Sequence, residues 1–278
     1  MIQPSISITV PGQQTGPAKL RLYLLDQLSF APDRRRPVIL ILPGGGYERR
    51  SDRESEPIAM KFLAMGCHAA VLEYSVAPNC FPVALRELAG AISELRSRAE
   101  EYHINPRAII PCGFSAGGHL AASLGAFWNR PEIYGGGAGL LSPDQARPDG
   151  LILSYPVITS GPFCHKGSFE RLLGGQADDG TKRELVSLER QISPDFPPVF
   201  FWHTVTDSSV PVENSLLLAS ALKQNGVNFE MHIYPSGIHG VALGTEETAG
   251  IDHRALEPCC QSWISLVQSW LEDRWPAA

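Results

Sequence analysis

Apolar residues recur along the chain with two different periods, and the two patterns alternate. Near the start, residues 5–10 and 19–25 alternate polar and apolar side chains and are separated by a turn-rich stretch, which predicts an antiparallel hairpin. Further along, continuous apolar runs bounded by glycine and proline predict buried parallel strands. These runs cover residues 38–42, 69–74, 108–111, 151–154, 199–203 and 229–234.

Longer amphipathic stretches lie between these runs and predict helices. They cover residues 57–64, 82–102, 116–127, 212–225 and 255–273. Pro57, Pro82 and Pro211 lie at or near predicted helix starts, where a missing N–H costs little. The alternation therefore predicts an α/β fold, with a mostly parallel eight-stranded sheet, an N-terminal antiparallel hairpin and helices on both faces.

The composition is that of an ordinary globular chain. Its 278 residues are 44% hydrophobic and 19% charged, which excludes a disordered polymer. A net charge of −6 argues against a nucleic-acid partner, and the longest strongly apolar run is far shorter than the roughly 20 residues of a membrane span. We therefore expect a single domain over residues 1–278, with insertions at 128–150 and 155–198 that could cover a pocket.

The cysteines and the N-terminus bear on metal binding and location. The chain has six cysteines but no Cys-x-x-Cys, and none groups with histidines at zinc-ligand spacing. Reduced, buried thiols and no bound metal are expected. The first residues lack a basic region and an apolar core of the signal-peptide kind, so we expect a cytoplasmic protein. A homo-oligomer is compatible with the sequence.

The strongest candidate for chemistry is the segment Gly-Phe-Ser-Ala-Gly at residues 113–117. It matches Gly-x-Ser-x-Gly, in which glycines relieve crowding at a sharp turn from strand to helix and the serine hydroxyl projects free. A predicted strand precedes the motif and a predicted helix follows it. This context favours Ser115 as a nucleophile over an idle serine in a glycine-rich turn.

A serine hydroxyl becomes a good nucleophile only when an imidazole takes its proton, and a carboxylate must orient that imidazole. Where such a strand-to-helix turn, called a nucleophile elbow, carries the serine, the order along the chain is serine, acidic residue, histidine. Asp207 follows one predicted strand and His239 follows the next, so both belong to the carboxyl edge of the sheet. The sequence predicts a triad of Ser115, His239 and Asp207.

Other histidines and carboxylates fit these roles less well. His119 lies inside the helix after the elbow and should face packing neighbours, while His203 and His232 lie within strands. Asp195 precedes its strand and so belongs to the wrong edge. Glu213 falls in the first turn of a predicted helix.

Acyl transfer passes through an intermediate with a negatively charged oxygen, the oxyanion, so the site also needs backbone N–H groups that donate hydrogen bonds to it. Residues 43–47 read Pro-Gly-Gly-Gly-Tyr directly after a predicted strand and offer unhindered N–H groups. We expect Gly45, Gly46 and Ala116 to form an oxyanion hole, a flexible turn being the alternative.

Substrate contacts are harder to infer from sequence. Tyr47, Trp128 and Trp202 are candidate pocket walls, although aromatic residues are more often core. A charged stretch at residues 51–56 follows residues 43–47, which we call the glycine loop. Its Arg53 and Glu54 would orient the oxyanion loop or contact a polar substrate, unless the stretch is simply a solvated loop.

Taken together, these motifs resemble the acetyl esterase/lipase group of the α/β-hydrolase superfamily, in an acetylxylan-esterase-like branch related to hormone-sensitive lipases. The resemblance spans residues 38–240. It implies the α/β-hydrolase fold and hydrolysis of carboxylic esters without a cofactor, often on acetylated sugars or xylan fragments. It rests on residues 43–47, 73–78 (Glu-Tyr-Ser-Val-Ala-Pro), 81–82 (Phe-Pro), 113–119, Asp207 with 210–211 (Val-Pro), and 239–240 (His-Gly).

Two departures from that pattern affect substrate preference. Hormone-sensitive lipases usually carry His-Gly-Gly-Gly, whereas this chain has Pro43, so the hydrogen bonds of that histidine must be replaced. They also favour Asp-Tyr-Arg-Leu-Ala-Pro-Glu, whereas this chain has Glu73, Ser75 and Asn79. Both changes weaken any transfer of lipase-type substrate preference.

The sequence thus predicts a serine carboxylesterase that hydrolyses small-molecule acetyl esters, such as acetylated sugars or xylo-oligosaccharides, through an acyl-enzyme. Short acyl groups are expected, because the N-terminal residues predict a hairpin instead of a helical cap and residues 155–198 hold only short apolar patches. A serine peptidase or acyltransferase on the same fold is one alternative. An inactive, hydrolase-like binding protein is another.

Overall fold

The computed structural model describes residues 4–134 and 141–276. Within these ranges eight strands form one sheet: β1 (Ser5–Ile8), β2 (Ala18–Tyr23), β3 (Arg36–Leu42), β4 (His68–Glu73), β5 (Ile104–Phe114), β6 (Leu151–Ser154), β7 (Val199–Thr204) and β8 (Phe229–Tyr234). Their order is β1-β2-β4-β3-β5-β6-β7-β8. Strand β2 pairs antiparallel with β1 and β4, and the other pairs are parallel. The predicted sheet and its N-terminal hairpin are confirmed.

Ten α-helices join these strands in the described ranges: α1 (Glu56–Ala64), α2 (Val83–Ser97), α3 (Ala116–Phe127), α4 (Pro131–Tyr134), α5 (Pro143–Ala146), α6 (Lys166–Leu173), α7 (Gly180–Leu185), α8 (Glu213–Gln224), α9 (Glu246–Ala249) and α10 (Trp263–Arg274). Short 3-10 helices cover Asp52–Glu54, Gly174–Gln176, Leu188–Arg190 and Pro258–Ser262.

Side chains of the central strands alternate between two buried faces, as period-two geometry requires. In β3, Val38 and Leu40 pack with helices α2, α3 and α8, whereas Ile39 and Ile41 pack with α1 and α10. Because helices cover both faces, the central strands contain continuous apolar runs, such as residues 38–42, 108–112 and 199–202, instead of alternating with polar residues. The predicted helices on both faces are confirmed.

Some predicted boundaries are wrong. The helix predicted for 255–273 begins only at Trp263, because the backbone of Glu257 is used elsewhere: its N–H donates to the Gly244 carbonyl at 3.0 Å. A 3-10 helix that starts at Pro258 then leads into α10. The helix predicted for 82–102 ends at Ser97.

The two predicted insertions lie in different places. The Asp149 N–H donates to Ile109 O, which is level with Val38 near the start of β3, and the Trp128 indole donates to Asp195 O just before β7. These contacts place the described part of 128–150 at the amino edge of the sheet, so it does not cover a site at the carboxyl edge. Residues 135–140 lie outside the described ranges. The segment 155–198 follows the carboxyl end of β6 and reaches the glycine loop, as described below.

Candidate active site

A sharp turn between β5 and α3 carries Ser115. Its backbone lies at φ 53° and ψ −117°, a conformation that is strained for a residue with a side chain. The turn also needs glycine beside it, since a methyl group at Gly117 would lie 2.0 Å from the Leu42 carbonyl oxygen. The Ser115 hydroxyl is therefore held at the carboxyl edge of the sheet by the local geometry that the motif predicts.

The structure brings the three predicted triad residues together. Ser115 Oγ lies 2.7 Å from His239 Nε2, and His239 Nδ1 lies 2.6 Å from Asp207 Oδ2. Because the carboxylate can only accept, Nδ1 carries the ring proton and Nε2 is left free to accept from the serine hydroxyl. The His239 side chain is 22% exposed, so the site opens to solvent on the imidazole side.

Asp207 is fixed by donors on both of its oxygens. Its Oδ1 accepts from the N–H groups of Ser209 and Val210, each at 2.9 Å. Burial alone would raise the pKa of Asp207, but hydrogen bonds from His203 and His239 outweigh it and hold the pKa below its ordinary value. The carboxylate is therefore ionised at neutral pH.

His203, which the sequence analysis set aside as a base because it lies within a strand, is a neighbour of the site. Its Nε2 lies 2.9 Å from Val210 O and 3.4 Å from Asp207 Oδ2, while its Nδ1 lies 2.8 Å from Ser215 Oγ. The i, i+4 spacing of His203 and Asp207 across the end of β7 was the available signal. The imidazole fills the buried side of the carboxylate.

The rival histidine, His119, is engaged in the core. Its ring nitrogens lie 2.9 Å from Tyr47 Oη and 2.9 Å from Val186 O, and burial lowers its pKa to about 4. Of the rival acids, Asp195 is exposed beside Asn129 at the amino edge. Glu213 is the first residue of α8.

The glycine loop packs directly on the nucleophile. A methyl group at Gly44 would lie 2.9 Å from Ser115 Cβ, and Gly45 and Gly46 have φ of 131° and 64°. Within the described ranges, the N–H groups of Gly45, Gly46 and Ala116 have no hydrogen-bond partner. Three unused backbone donors therefore lie in the segments next to the serine.

Hydrogen bonds to the glycine loop come from residues outside it. The Tyr74 hydroxyl donates to Pro43 O at 2.6 Å, and the buried Glu54 carboxylate accepts the Gly44 N–H at 2.8 Å. These bonds hold the loop although residue 43 has no side-chain donor. The neighbouring Arg53 guanidinium donates to Gly240 O at 3.2 Å, next to His239.

Two predicted pocket walls belong to the core instead. Tyr47 is almost fully buried, with its ring edge-on to Tyr74 and to His119. Trp202 is completely buried and stacks on Trp263 at 5.6 Å. Neither ring has surface to offer a substrate, so both expectations are wrong. The prediction that Trp128 lines the pocket is also wrong, because Trp128 lies at the amino edge of the sheet.

The sequence missed polar residues at the start of α6, His165 just before the helix and Ser168 within it, that lie over the glycine loop. A methyl group at Gly46 would lie 3.7 Å from Ser168 Oγ and 3.9 Å from His165 Cε1. His165 and Ser168 are hydrogen-bonded at 2.8 Å, and burial together with the nearby His239 lowers the pKa of His165. A Glu48–Arg171 ion pair at 2.8 Å ties α6 to the loop.

Metal binding and membrane insertion are two further properties that the described residues bear on. No three histidine, cysteine or carboxylate side chains in these ranges are grouped so that they could hold a metal ion. No helix in them is long and apolar enough to cross a bilayer.

The fold and the site together define an α/β hydrolase, and comparisons with known proteins narrow the class. The BD-FAE family model matches residues 27–147, and the prolyl oligopeptidase family model matches residues 176–255. An acetyl ester-xyloside bifunctional hydrolase from Caldicellulosiruptor lactoaceticus is 37% identical, with a TM-score of 0.78 over 95% of this chain and 90% of that one. A carboxylesterase from Lactobacillus plantarum is 30% identical, with a TM-score of 0.85 over 100% and 99%. The chain belongs to the acetyl-esterase-like group of the α/β hydrolases.

Curated relatives are longer than this chain. Endo-1,4-beta-xylanase B from Butyrivibrio fibrisolvens is 37% identical over 77% of this chain and 34% of its own length. Acetylxylan esterase from Xylanibacter ruminicola is 29% identical over 74% and 41%. The chain therefore spans less than half the length of these two relatives.

Proposed function

We propose that the protein is a serine carboxylesterase that removes acetyl groups from acetylated sugars or xylo-oligosaccharides through an acyl-enzyme. One observation carries the proposal: the hydrogen-bonded series Ser115–His239–Asp207 at the carboxyl edge, flanked by three unused backbone donors.

In the first half-reaction the Ser115 oxygen attacks the ester carbonyl carbon while His239 Nε2 takes the hydroxyl proton. The tetrahedral intermediate collapses, the carbon–oxygen bond to the alcohol breaks, and the imidazolium returns its proton to the departing oxygen. Water then attacks the acetyl-serine in the same way while His239 takes its proton, the imidazolium returns the proton to the Ser115 oxygen, and acetate is released. Asp207 stabilises the imidazolium in both halves.

The N–H groups of Gly45, Gly46 and Ala116 donate hydrogen bonds that stabilise the negative charge developing on the carbonyl oxygen. Loss of one such donor typically costs about 2.7–4 kcal/mol of transition-state stabilisation, so the glycine loop supplies a large part of the rate enhancement. All groups used in these steps belong to this chain, and the reaction as proposed uses no cofactor.

The substrate class rests on two lines of support. The groups over the glycine loop are polar: His165 and Ser168 lie close to Gly46, and the Glu48–Arg171 pair lies beside the loop. The relatives described above include an acetylxylan esterase and an acetyl ester-xyloside hydrolase. A small, hydroxyl-rich alcohol fits both.

The test is turnover of acetylated xylose and an aryl acetate, combined with labelling by a fluorophosphonate probe. Wild-type protein should hydrolyse both esters and become labelled on Ser115. Ser115→Ala should lose labelling and turnover, with only the roughly 10³–10⁴-fold acceleration over water that the rest of the site gives. Substantial activity in that variant would contradict the proposal, and an unlabelled, inactive wild type would favour a binding protein.

A serine peptidase is the second candidate, because the prolyl oligopeptidase family model matches the part of the chain that contains Asp207 and His239. Both classes need the same acid and base, so the match does not by itself choose between them. Hydrolysis of a dipeptidyl amide faster than an acetyl ester would favour the peptidase. We expect the ester to be preferred.

A further inference from the structure

Glu54 is a buried carboxylate that the proposed reaction does not use directly. It ends the 3-10 helix Asp52–Glu54 after the glycine loop, and it is 2% exposed. In the described part of the chain no lysine, arginine or histidine forms an ion pair with it. Burying an unpaired carboxylate is costly unless hydrogen bonds satisfy it, so its partners define its role.

The two oxygens of Glu54 contact opposite sides of the site. Oε2 accepts the Gly44 N–H at 2.8 Å, one residue before the predicted oxyanion donor Gly45. Oε1 accepts the Tyr155 hydroxyl at 2.7 Å, and that hydroxyl in turn accepts the Ala242 N–H at 3.0 Å. Ala242 lies three residues after His239.

Tyr155 strengthens the link to the base. Its ring is edge-on to the His239 imidazole, with centroids 5.1 Å apart, and it is itself almost completely buried. A methyl group at Gly240 would lie 3.9 Å from Glu54 Oε1. The loop that carries His239 and Gly240, which we call the histidine loop, therefore also passes close to the carboxylate. One side chain thus touches the glycine loop directly and the histidine loop through Tyr155.

We propose that Glu54 is a positioning residue that fixes the glycine loop relative to His239. Catalysis needs the oxyanion donors and the base on the same reacting carbon, and small displacements of preorganised donors are costly. Glu54 supplies this registration through backbone and tyrosine groups and touches no substrate. The inference rests on the proposed esterase function.

The test compares Glu54→Gln with Asp52→Asn, an exposed carboxylate in the same 3-10 helix. Glutamine keeps the shape, but its single oxygen can accept from only one of the two donors, and its NH2 faces the other. We expect kcat on an aryl acetate to fall about 10–100-fold in Glu54→Gln, a part of the loss seen when an oxyanion donor is removed, with KM little changed. Asp52→Asn should match the wild type.

The affinity for a boronic acid is a second measurement that a loss of stability alone would not change. The Ser115 oxygen bonds to the boron, its hydroxyl proton passes to His239 Nε2, and the boron becomes a tetrahedral anion. Affinity should fall in Glu54→Gln in parallel with kcat, while the affinity for the product acetate stays constant. A variant with a lower melting temperature but wild-type kcat and boronate affinity would overturn the proposal and leave Glu54 a purely structural residue.

Tyr155→Phe keeps the test decisive if Glu54→Gln does not fold. It removes only the hydroxyl that joins Glu54 to Ala242, and it should lower kcat and boronate affinity together. Wild-type values for both would overturn the proposal. Failure of the wild type to turn over any ester or to label on Ser115 would instead refute the proposed function, so the two failures are distinct.

Discussion

Replacing Asp207 with asparagine would exchange one carboxylate oxygen for an NH2 group where several donors converge. The amide oxygen can keep the Ser209 and Val210 N–H groups, which both reach Oδ1. Its NH2 then faces His239 Nδ1, which is a donor in the wild type. The favoured response is a change of tautomer, with the His239 proton moving to Nε2.

That tautomer disables the base. Nε2 lies 2.7 Å from Ser115 Oγ and must be unprotonated to accept the hydroxyl proton. Where an oriented imidazole of this kind has been given the wrong tautomer, kcat falls by about 10⁴, which is about 5 kcal/mol in activation free energy. KM should change little, because the Asp207 side chain is buried and does not reach the substrate.

The assay is steady-state kinetics on an aryl acetate, with Asp195→Asn as the matched control. Asp195 is an exposed carboxylate at the amino edge, hydrogen-bonded to Asn129, so its amide variant should keep wild-type kcat. A kcat for Asp207→Asn within tenfold of the wild type would refute the reasoning and transfer the acid role to a carboxylate such as Glu213.

Two further predictions concern specificity and pH. Acyl chains from acetyl to dodecanoyl should give the highest kcat/KM at the short end; a steady climb of roughly fourfold per methylene, about 0.8 kcal/mol each, would reveal an apolar channel and contradict the acetyl preference. The free energy of unfolding should fall as pH drops from 6.5 to about 4, because burial lowers the pKa of His68 and His119 to about 4 while the unfolded chain binds those protons. Urea titrations should show a smaller drop for His119→Gln.

The arrangement of the triad could be predicted because each member obeys a rule of chain order and sheet edge. Ser115 follows β5, Asp207 follows β7 and His239 follows β8, and parallel strands deliver their carboxyl ends to one edge. The sheet itself was predictable for the same reason: apolar runs of strand length alternate with helical periods.

The predictions that Trp202 and Trp128 line a pocket were wrong, and the same rules of strand burial and sheet edge explain why. Trp202 lies inside β7, and a central parallel strand is buried on both faces, so either orientation of its side chain leads into the core. Trp128 directly follows a helix of 12 residues, α3, that begins just after Ser115. At about 1.5 Å per residue this helix carries it about 18 Å from Ser115, to the opposite edge of the sheet.

Glu54 marks the limit of local reasoning. The sequence named Arg53 and Glu54 as residues that would orient the oxyanion loop or contact a substrate, but the charge of residues 51–56 fits a solvated loop equally well. No periodicity in the stretch distinguishes a buried glutamate from its exposed neighbours. Its environment is set by Tyr155, which is 101 residues away in sequence and is delivered to the site by the end of β6. A carboxylate becomes tolerable in a core only when such distant donors arrive with the right geometry. Its burial therefore depends on the assembled sheet, and so does the geometry of the glycine loop that it holds.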